Sequence, residues 1–117
     1  MAHRILFVDD EDTLRSIAAR ALRFKDYEVV EASDGFEAWG LAKRTRFDLL
    51  ITDSRMPPLS GSEFMARLRD LYPTLPILRL SDGRDVGAEG MPSGMATLFK
   101  PFEMDDLVAA VGSLLAR

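Results

Sequence analysis

The sequence predicts an α/β fold in which a doubly wound parallel sheet of five strands has helices packed on both faces. Two observations predict this fold. Several short runs are apolar throughout rather than alternating, as in strands that are buried on both faces. These runs alternate with segments in which apolar residues recur at helical spacing, which is typical of consecutive strand–helix units. The length of 117 residues suits one compact domain, so we expect a single domain across residues 1–117.

The first strand is expected at residues 5–8, where ILFV is followed at once by the acidic run DDED. The remaining strands are expected at residues 27–30, 47–52, 75–80 and 96–99. Helices are expected at residues 14–22, 36–42 and 64–72, with a last one from about residue 103. Five such units suit the flavodoxin-like strand order 2-1-3-4-5. The fourth helix should fall within residues 83–94, where four glycines and a proline make it short or irregular.

Composition and charge exclude several classes of function. Hydrophobic residues make up 47% and charged residues 29% of the chain, as in ordinary globular proteins. The net charge is −4, so we expect no direct binding of nucleic acid, and we interpret Arg15, Arg20 and Arg23 as the solvated face of the first helix. Cysteine is absent, which excludes disulfides and thiolate chemistry. Apolar stretches are too short for a membrane span, so we expect a cytoplasmic protein with no membrane partner.

Five polar side chains are expected to meet at one edge of the predicted sheet. They follow the first, third, fourth and fifth strands and are Asp9, Asp10, Asp53, Ser81 and Lys100. In open α/β sheets, ligands bind beyond the carboxyl ends of the strands, where the strand order reverses. Three carboxylates held close together repel one another unless a cation is present or their pKa values rise. Their oxygens suit Mg²⁺ or Mn²⁺, and a carboxylate can act as a nucleophile to form an aspartyl phosphate.

Four sequence blocks resemble, in order and spacing, the signature of the response-regulator receiver domain. They are ILFVDDE at 5–11, DLLITDSRMP at 48–57, PILRLSDG at 76–83 and LFKPF at 98–102. The resemblance covers essentially the whole chain. It implies a module of two-component or phosphorelay signalling that receives a phosphoryl group from a histidine kinase or a histidine phosphotransfer protein. Such a module takes part in its own phosphorylation and dephosphorylation but is not a turnover enzyme.

The resemblance also implies a role for individual residues. Asp53 matches the phosphoacceptor, and Ser81 and Lys100 match positions that contact the phosphoryl group. The implied ligands of Mg²⁺ (or Mn²⁺) are Asp9, Asp10, Asp53 and the backbone carbonyl of Arg55. The Lys100–Pro101 peptide bond is expected to be cis, a conformation that is open mainly to bonds before proline.

Three features depart from the family pattern near Ser81, at positions tied to switching and output. Asp82 stands where the family has a small residue, and its carboxylate would either repel phosphate or turn outward. Thr97 stands where the family has an aromatic residue that moves inward when the hydroxyl approaches the phosphoryl group. The segment between Ser81 and Lys100 is slightly shorter than usual and is broken by glycine. We therefore expect an altered output route.

Three alternatives stay open at this point. Asp82 and Thr97 would suit an interaction scaffold that keeps the fold but does not depend on phosphorylation. The chain is compatible with a stand-alone receiver and with a receiver domain excised from a hybrid histidine kinase. A phosphohydrolase with an aspartyl intermediate often has a second Asp two residues after the nucleophile, but this chain has Arg55 there, so we expect no turnover of phosphate monoesters. We expect a monomer or a weak dimer, and the sequence does not specify the downstream protein target.

Overall fold

The computed structural model describes residues 2–53, 61–83 and 95–116, and these residues form five strands and four helices. In chain order the elements are β1 (Arg4–Val8), α1 (Asp12–Phe24), β2 (Glu28–Ala32), α2 (Gly35–Arg44), β3 (Leu49–Asp53), α3 (Gly61–Leu71), β4 (Ile77–Ser81), β5 (Met95–Phe99) and α4 (Met104–Leu115). Each predicted strand is present within a few residues of its expected bounds. The short helix expected within residues 83–94 falls, apart from Gly83, outside the described residues.

All neighbouring strands of the sheet are parallel, and their order is β2-β1-β3-β4-β5, which confirms the prediction. The strands β1 and β3 are neighbours at the point where the strand order reverses, and their register places Val8 opposite Thr52. Because parallel strands end at the same edge of a sheet, the residues that follow Val8 lie beside Asp53, the last residue of β3.

Helices cover both faces of the sheet, and each interface is an apolar cluster. On one face α1 and α4 contribute Ala18, Ala19, Leu22, Leu107, Val111 and Leu114. On the other face α2 and α3 contribute Ala38, Ala42 and Leu68. Strand residues between the two layers are buried whichever way they point, which is why β1 and β3 are apolar without alternation.

Side-chain caps fix the starts of two helices. Asp34 precedes α2, and its Oδ1 accepts a hydrogen bond from the Glu37 N–H at 2.8 Å. Glu103 precedes α4 and forms a reciprocal capping box with Asp106. The Lys100–Pro101 peptide bond just before this cap is cis, as predicted. Among the described helices, none combines the length and the apolar character that crossing a membrane requires.

Candidate functional site

The carboxyl edge of the sheet carries the described residues that the sequence predicts for the site. Asp9 and Asp10 follow β1, Asp53 ends β3, Ser81 ends β4 and Lys100 follows β5. One carboxylate oxygen from each of the three acids lies within 4.8 Å of those of the other two. The expected convergence of the three carboxylates is therefore confirmed. Arg55, whose carbonyl is the further expected ligand, lies outside the described residues.

Asp9 is the buried member of the three acids, with 0% of its surface exposed. Its Oδ1 accepts a hydrogen bond from the Glu11 N–H at 2.9 Å, which turns the chain from β1 toward α1. Burial raises the pKa of the Asp9 carboxyl from 3.8 to about 6, and the charges of Asp53 and Asp10 also raise it. The Glu11 N–H and the charge on Lys100 act in the opposite direction. Ionisation of the Asp9 carboxyl is therefore less favourable in the folded protein than in water.

Lys100 places a positive charge beside two of these acids, Asp9 and Asp53. Its Nζ donates a hydrogen bond to Asp53 Oδ2 at 3.0 Å and lies 3.8 Å from Asp9 Oδ2. Burial alone would lower the pKa of Lys100, but the hydrogen bond to Asp53 and the charges of Asp9 and Asp53 more than offset it. The pKa of the ammonium group therefore lies above its ordinary value, and the group is a permanent cation at neutral pH.

Ser81 is held at the same edge by one hydrogen bond to its side chain and one to its backbone carbonyl. The residue is buried, and its Oγ accepts a hydrogen bond from the Gly83 N–H at 3.0 Å. Its carbonyl accepts a hydrogen bond from the Lys100 N–H at 2.7 Å, which ties the end of β4 to the residue after β5. The hydroxyl and the ammonium group thus come from neighbouring, connected strand ends.

The donor set of this site fits a hard divalent cation. Carboxylate oxygens are the ligands that such cations prefer, and three of them converge here. Asp9 Oδ2 is buried and accepts no hydrogen bond from the part of the chain that the structure describes. A buried carboxylate oxygen without a donor is unfavourable unless a proton or a cation neutralises it. Asp9, Asp10 and Asp53 can therefore hold a metal ion together.

The family follows from a comparison with protein-family models. The model of the response regulator receiver domain matches residues 5–112. The chain belongs to the response regulator receiver family. Response regulator MprA of Mycobacterium leprae (strain TN) is 41% identical to this receiver over 118 residues, which cover 97% of this chain and 51% of that protein. The receiver spans about half the length of the curated relatives it matches.

Solved structures share both the fold and the extent of this receiver. A chain described as a response regulator from Chloroflexus aurantiacus J-10-fl superposes with a TM-score of 0.89 at 38% identity, covering 100% of both chains. The receiver domain of the sensor histidine kinase PA1611 from Pseudomonas aeruginosa PAO1 superposes with a TM-score of 0.87 at 26% identity, again over 100% of both chains. That domain has a magnesium ion coordinated in its active-site cleft.

The structure describes two positions at which this receiver departs from the family pattern, one directly after β4 and one on β5. Asp82 is exposed and does not belong to the cluster of three carboxylates, which agrees with an outward orientation. Thr97 lies on β5 opposite Arg79 of β4, and its Oγ1 accepts a hydrogen bond from Arg79 Nη2 at 3.3 Å. In place of an aromatic ring, this receiver has a polar contact between two strands.

Arg15 is a residue of the site region that the sequence pattern did not identify. The interpretation of Arg15 as part of a solvated helix face is wrong, because its side chain is only 14% exposed. Arg20 is exposed as expected, and the side chain of Arg23 is 49% exposed. Arg15 turns toward the loop after β1 because acceptors on that loop and on β2 surround its guanidinium. The acidic run at 9–12, just before Arg15, is the sequence signal that could have indicated its contacts with this loop.

Proposed function

We propose that this receiver accepts a phosphoryl group on Asp53 in a Mg²⁺-dependent reaction, within two-component or phosphorelay signalling. The observation that carries the proposal is the convergence of Asp53 with two further carboxylates and the Lys100 ammonium group at one sheet edge. A carboxylate flanked by a metal site and a fixed cation is the arrangement that phosphoryl transfer to an acid requires.

Asp9, Asp10 and Asp53 are the described residues that would hold the Mg²⁺ ion, with the Arg55 carbonyl as a further expected ligand. The buried, unsatisfied Oδ2 of Asp9 supports this assignment, and the related receiver domain of PA1611 contains magnesium in its active-site cleft. Mn²⁺ is the alternative ion for the same oxygen ligands. When bound, the cation neutralises negative charge that develops on the oxygens of the phosphoryl group.

The chain's own residues perform the remaining steps. A carboxylate oxygen of Asp53 attacks the phosphorus atom of a phosphohistidine, the phosphorus–nitrogen bond breaks, and the bonding electrons return to the imidazole. Lys100, which is hydrogen bonded to Asp53 at 3.0 Å, then pairs with a phosphoryl oxygen. The Ser81 hydroxyl, at the end of the neighbouring strand, is the proposed donor to another phosphoryl oxygen.

The proposed phosphoryl donor is a histidine kinase or a histidine phosphotransfer protein. The relatives include a response regulator and the receiver domain of a sensor histidine kinase, so both attachments of such a domain are represented among them. The domain takes part in its own phosphorylation and dephosphorylation and is not proposed to turn over a substrate.

A second candidate is an interaction scaffold that does not depend on phosphorylation. The observation that favours it is the hydrogen bond between Arg79 and Thr97, which occupies the position of the family's mobile aromatic residue. A scaffold of this kind would keep the fold and the acidic cluster without using Asp53 as an acceptor.

Phosphorylation with a small donor separates the two candidates. The purified chain is incubated with Mg²⁺ and a small acyl phosphate, and intact-protein mass spectrometry follows the addition of one phosphoryl group. We expect the addition in the wild type and its loss in Asp53→Asn and in the presence of a chelator. An unmodified wild type that still binds Mg²⁺ would contradict the acceptor role and favour the scaffold.

A further inference from the structure

The Arg15 side chain joins three separate segments of the chain beside the acidic cluster. Nη1 donates to the backbone carbonyl of Asp9, Nη2 lies 2.8 Å from Asp12 Oδ1, and Nε donates to Glu31 Oε1 at 3.3 Å. These acceptors belong to the loop after β1, to the first turn of α1 and to β2. All three nitrogens of the planar guanidinium therefore have an acceptor, which holds the group in one orientation.

The contact with Asp9 fixes the peptide group that connects the two acids after β1. The Asp9 N–H is already bonded to the Ala32 carbonyl at 3.1 Å, and Arg15 holds the carbonyl on the other side of the same residue. That carbonyl belongs to the Asp9–Asp10 peptide unit, so its direction determines where the Asp10 backbone continues. Asp10 is exposed, and its placement therefore depends on the backbone rather than on surrounding side chains.

We propose that Arg15 is a positioning residue for the divalent cation site, which it serves by fixing the Asp9–Asp10 peptide and hence the Asp10 carboxylate. This inference rests on the proposed function, because it assumes that the acidic cluster binds Mg²⁺. Groups that orient metal ligands typically contribute about 10–100-fold to metal affinity. The polar contacts described for Arg15 are with the Asp9 carbonyl, Asp12 and Glu31, so its effect on the acids after β1 is transmitted through the backbone.

Whether Mg²⁺ binding weakens or strengthens when Arg15 is removed distinguishes a positioning role from a purely electrostatic one. Arg15 is a cation close to a cation site, so by charge alone its removal would strengthen Mg²⁺ binding. If Arg15 fixes the loop, its removal weakens Mg²⁺ binding, because part of the binding free energy must then order the Asp10 carboxylate. The two roles predict opposite changes in the dissociation constant.

Arg23 of the same helix provides a matched control. It lies 3.3 Å from the other oxygen of Glu31, and its Nη2 donates to a backbone carbonyl, that of Val29, at 2.7 Å. Arg23 thus repeats the pattern of Arg15, with Glu31 as a shared partner, but its carbonyl acceptor belongs to β2 and not to the acidic loop. Substitution of either arginine removes one charge, a contact with Glu31 and a hydrogen bond to a backbone carbonyl, while Arg15 also contacts Asp12.

The experiment measures the Mg²⁺ dissociation constant of the full chain by amide chemical shifts, together with thermal stability, for the wild type and for Arg15→Met, Arg15→Lys and Arg23→Met. We expect Arg15→Met to weaken Mg²⁺ binding by roughly 10-fold, at the lower end of the usual effect of ligand-orienting groups. Arg23→Met should stay within about twofold of the wild type even if its melting temperature falls, since it does not contact the loop. Arg15→Lys, which keeps the charge without the planar three-way contact, should also weaken binding.

Each result decides between the roles. Unchanged or tighter Mg²⁺ binding by both Arg15 variants, with a wild type that binds, would overturn the positioning role and leave the proposed function intact. A wild type that binds no Mg²⁺ would overturn the metal site and this inference together. Should Arg15→Met fail to fold, the comparison of Arg15→Lys with Arg23→Met still decides, because equal dissociation constants for the two would contradict the proposal.

Discussion

Replacement of Asp9 by asparagine removes a carboxylate that is completely buried at the end of β1. The pKa of this group rises from 3.8 to about 6, and each unit corresponds to about 1.4 kcal/mol, so ionisation costs the folded state about 3 kcal/mol more than the unfolded state. Because the pKa is raised on folding, the stability contributed by Asp9 is fully present below about pH 4 and is lost as the pH rises through about 6. Asparagine has no such pH dependence.

The free energy of unfolding of Asp9→Asn, relative to wild type, should therefore increase by about 2–3 kcal/mol between about pH 4 and about pH 7. Urea denaturation followed by circular dichroism, in buffers with a chelator, measures this difference. Asp26→Asn is the control: it removes an exposed acid after α1, and Asn tolerates the φ of 67° at that position. Mg²⁺ binds the folded wild type and should therefore raise its free energy of unfolding at neutral pH, an increase that Asp9→Asn should not show. If the difference in the free energy of unfolding between wild type and Asp9→Asn does not change with pH, the reasoning is refuted.

Two further substitutions test other parts of the structure. Lys100→Met removes the cation that lies 3.0 Å from Asp53, so without divalent cations it should lower the free energy of unfolding by about 1–2 kcal/mol at neutral pH. Denaturant titration should show this loss fading as the buffer is acidified, and a loss that persists in acid would show that the ion pair is not its cause. Tyr72→Phe removes a hydroxyl that lies 2.7 Å from the Ala42 carbonyl and 3.0 Å from the Thr45 carbonyl, and should cost about 1–2 kcal/mol in the same assay. Because these carbonyls lie in the last turn of α2 and just after it, away from the acidic cluster, the Mg²⁺ affinity should not change.

Much of the fold and the acidic cluster is predictable because both depend on local patterns and one topological rule. Apolar runs such as that of β1 indicate strands covered on both faces, and residues after parallel strands meet at one edge. This rule was sufficient to predict that Asp9, Asp10 and Asp53 lie close together. It could not distinguish the buried Asp9 from the exposed Asp10, because that difference depends on the turn formed by the Glu11 N–H.

Contacts between distant segments are the part that the sequence does not predict. Arg15 looks like one of several arginines on a solvated helix face, and its burial follows from the position of Glu31 on β2, sixteen residues away. The bond between Arg79 and Thr97 likewise depends on the register of β4 with β5. Both contacts require knowledge of which strands pair and how their side chains are aligned.

The role of Asp53 as phosphoacceptor is tested most directly with beryllofluoride, which mimics a phosphoryl group on a carboxylate. Amide spectra of the wild type and of Asp53→Asn are recorded with Mg²⁺ before and after its addition. We expect shifts in the wild type at the residues that surround the site, including Ser81 and Lys100, and no such shifts in Asp53→Asn. A wild type whose spectrum is unchanged, or a variant that responds equally, would contradict the role assigned to Asp53.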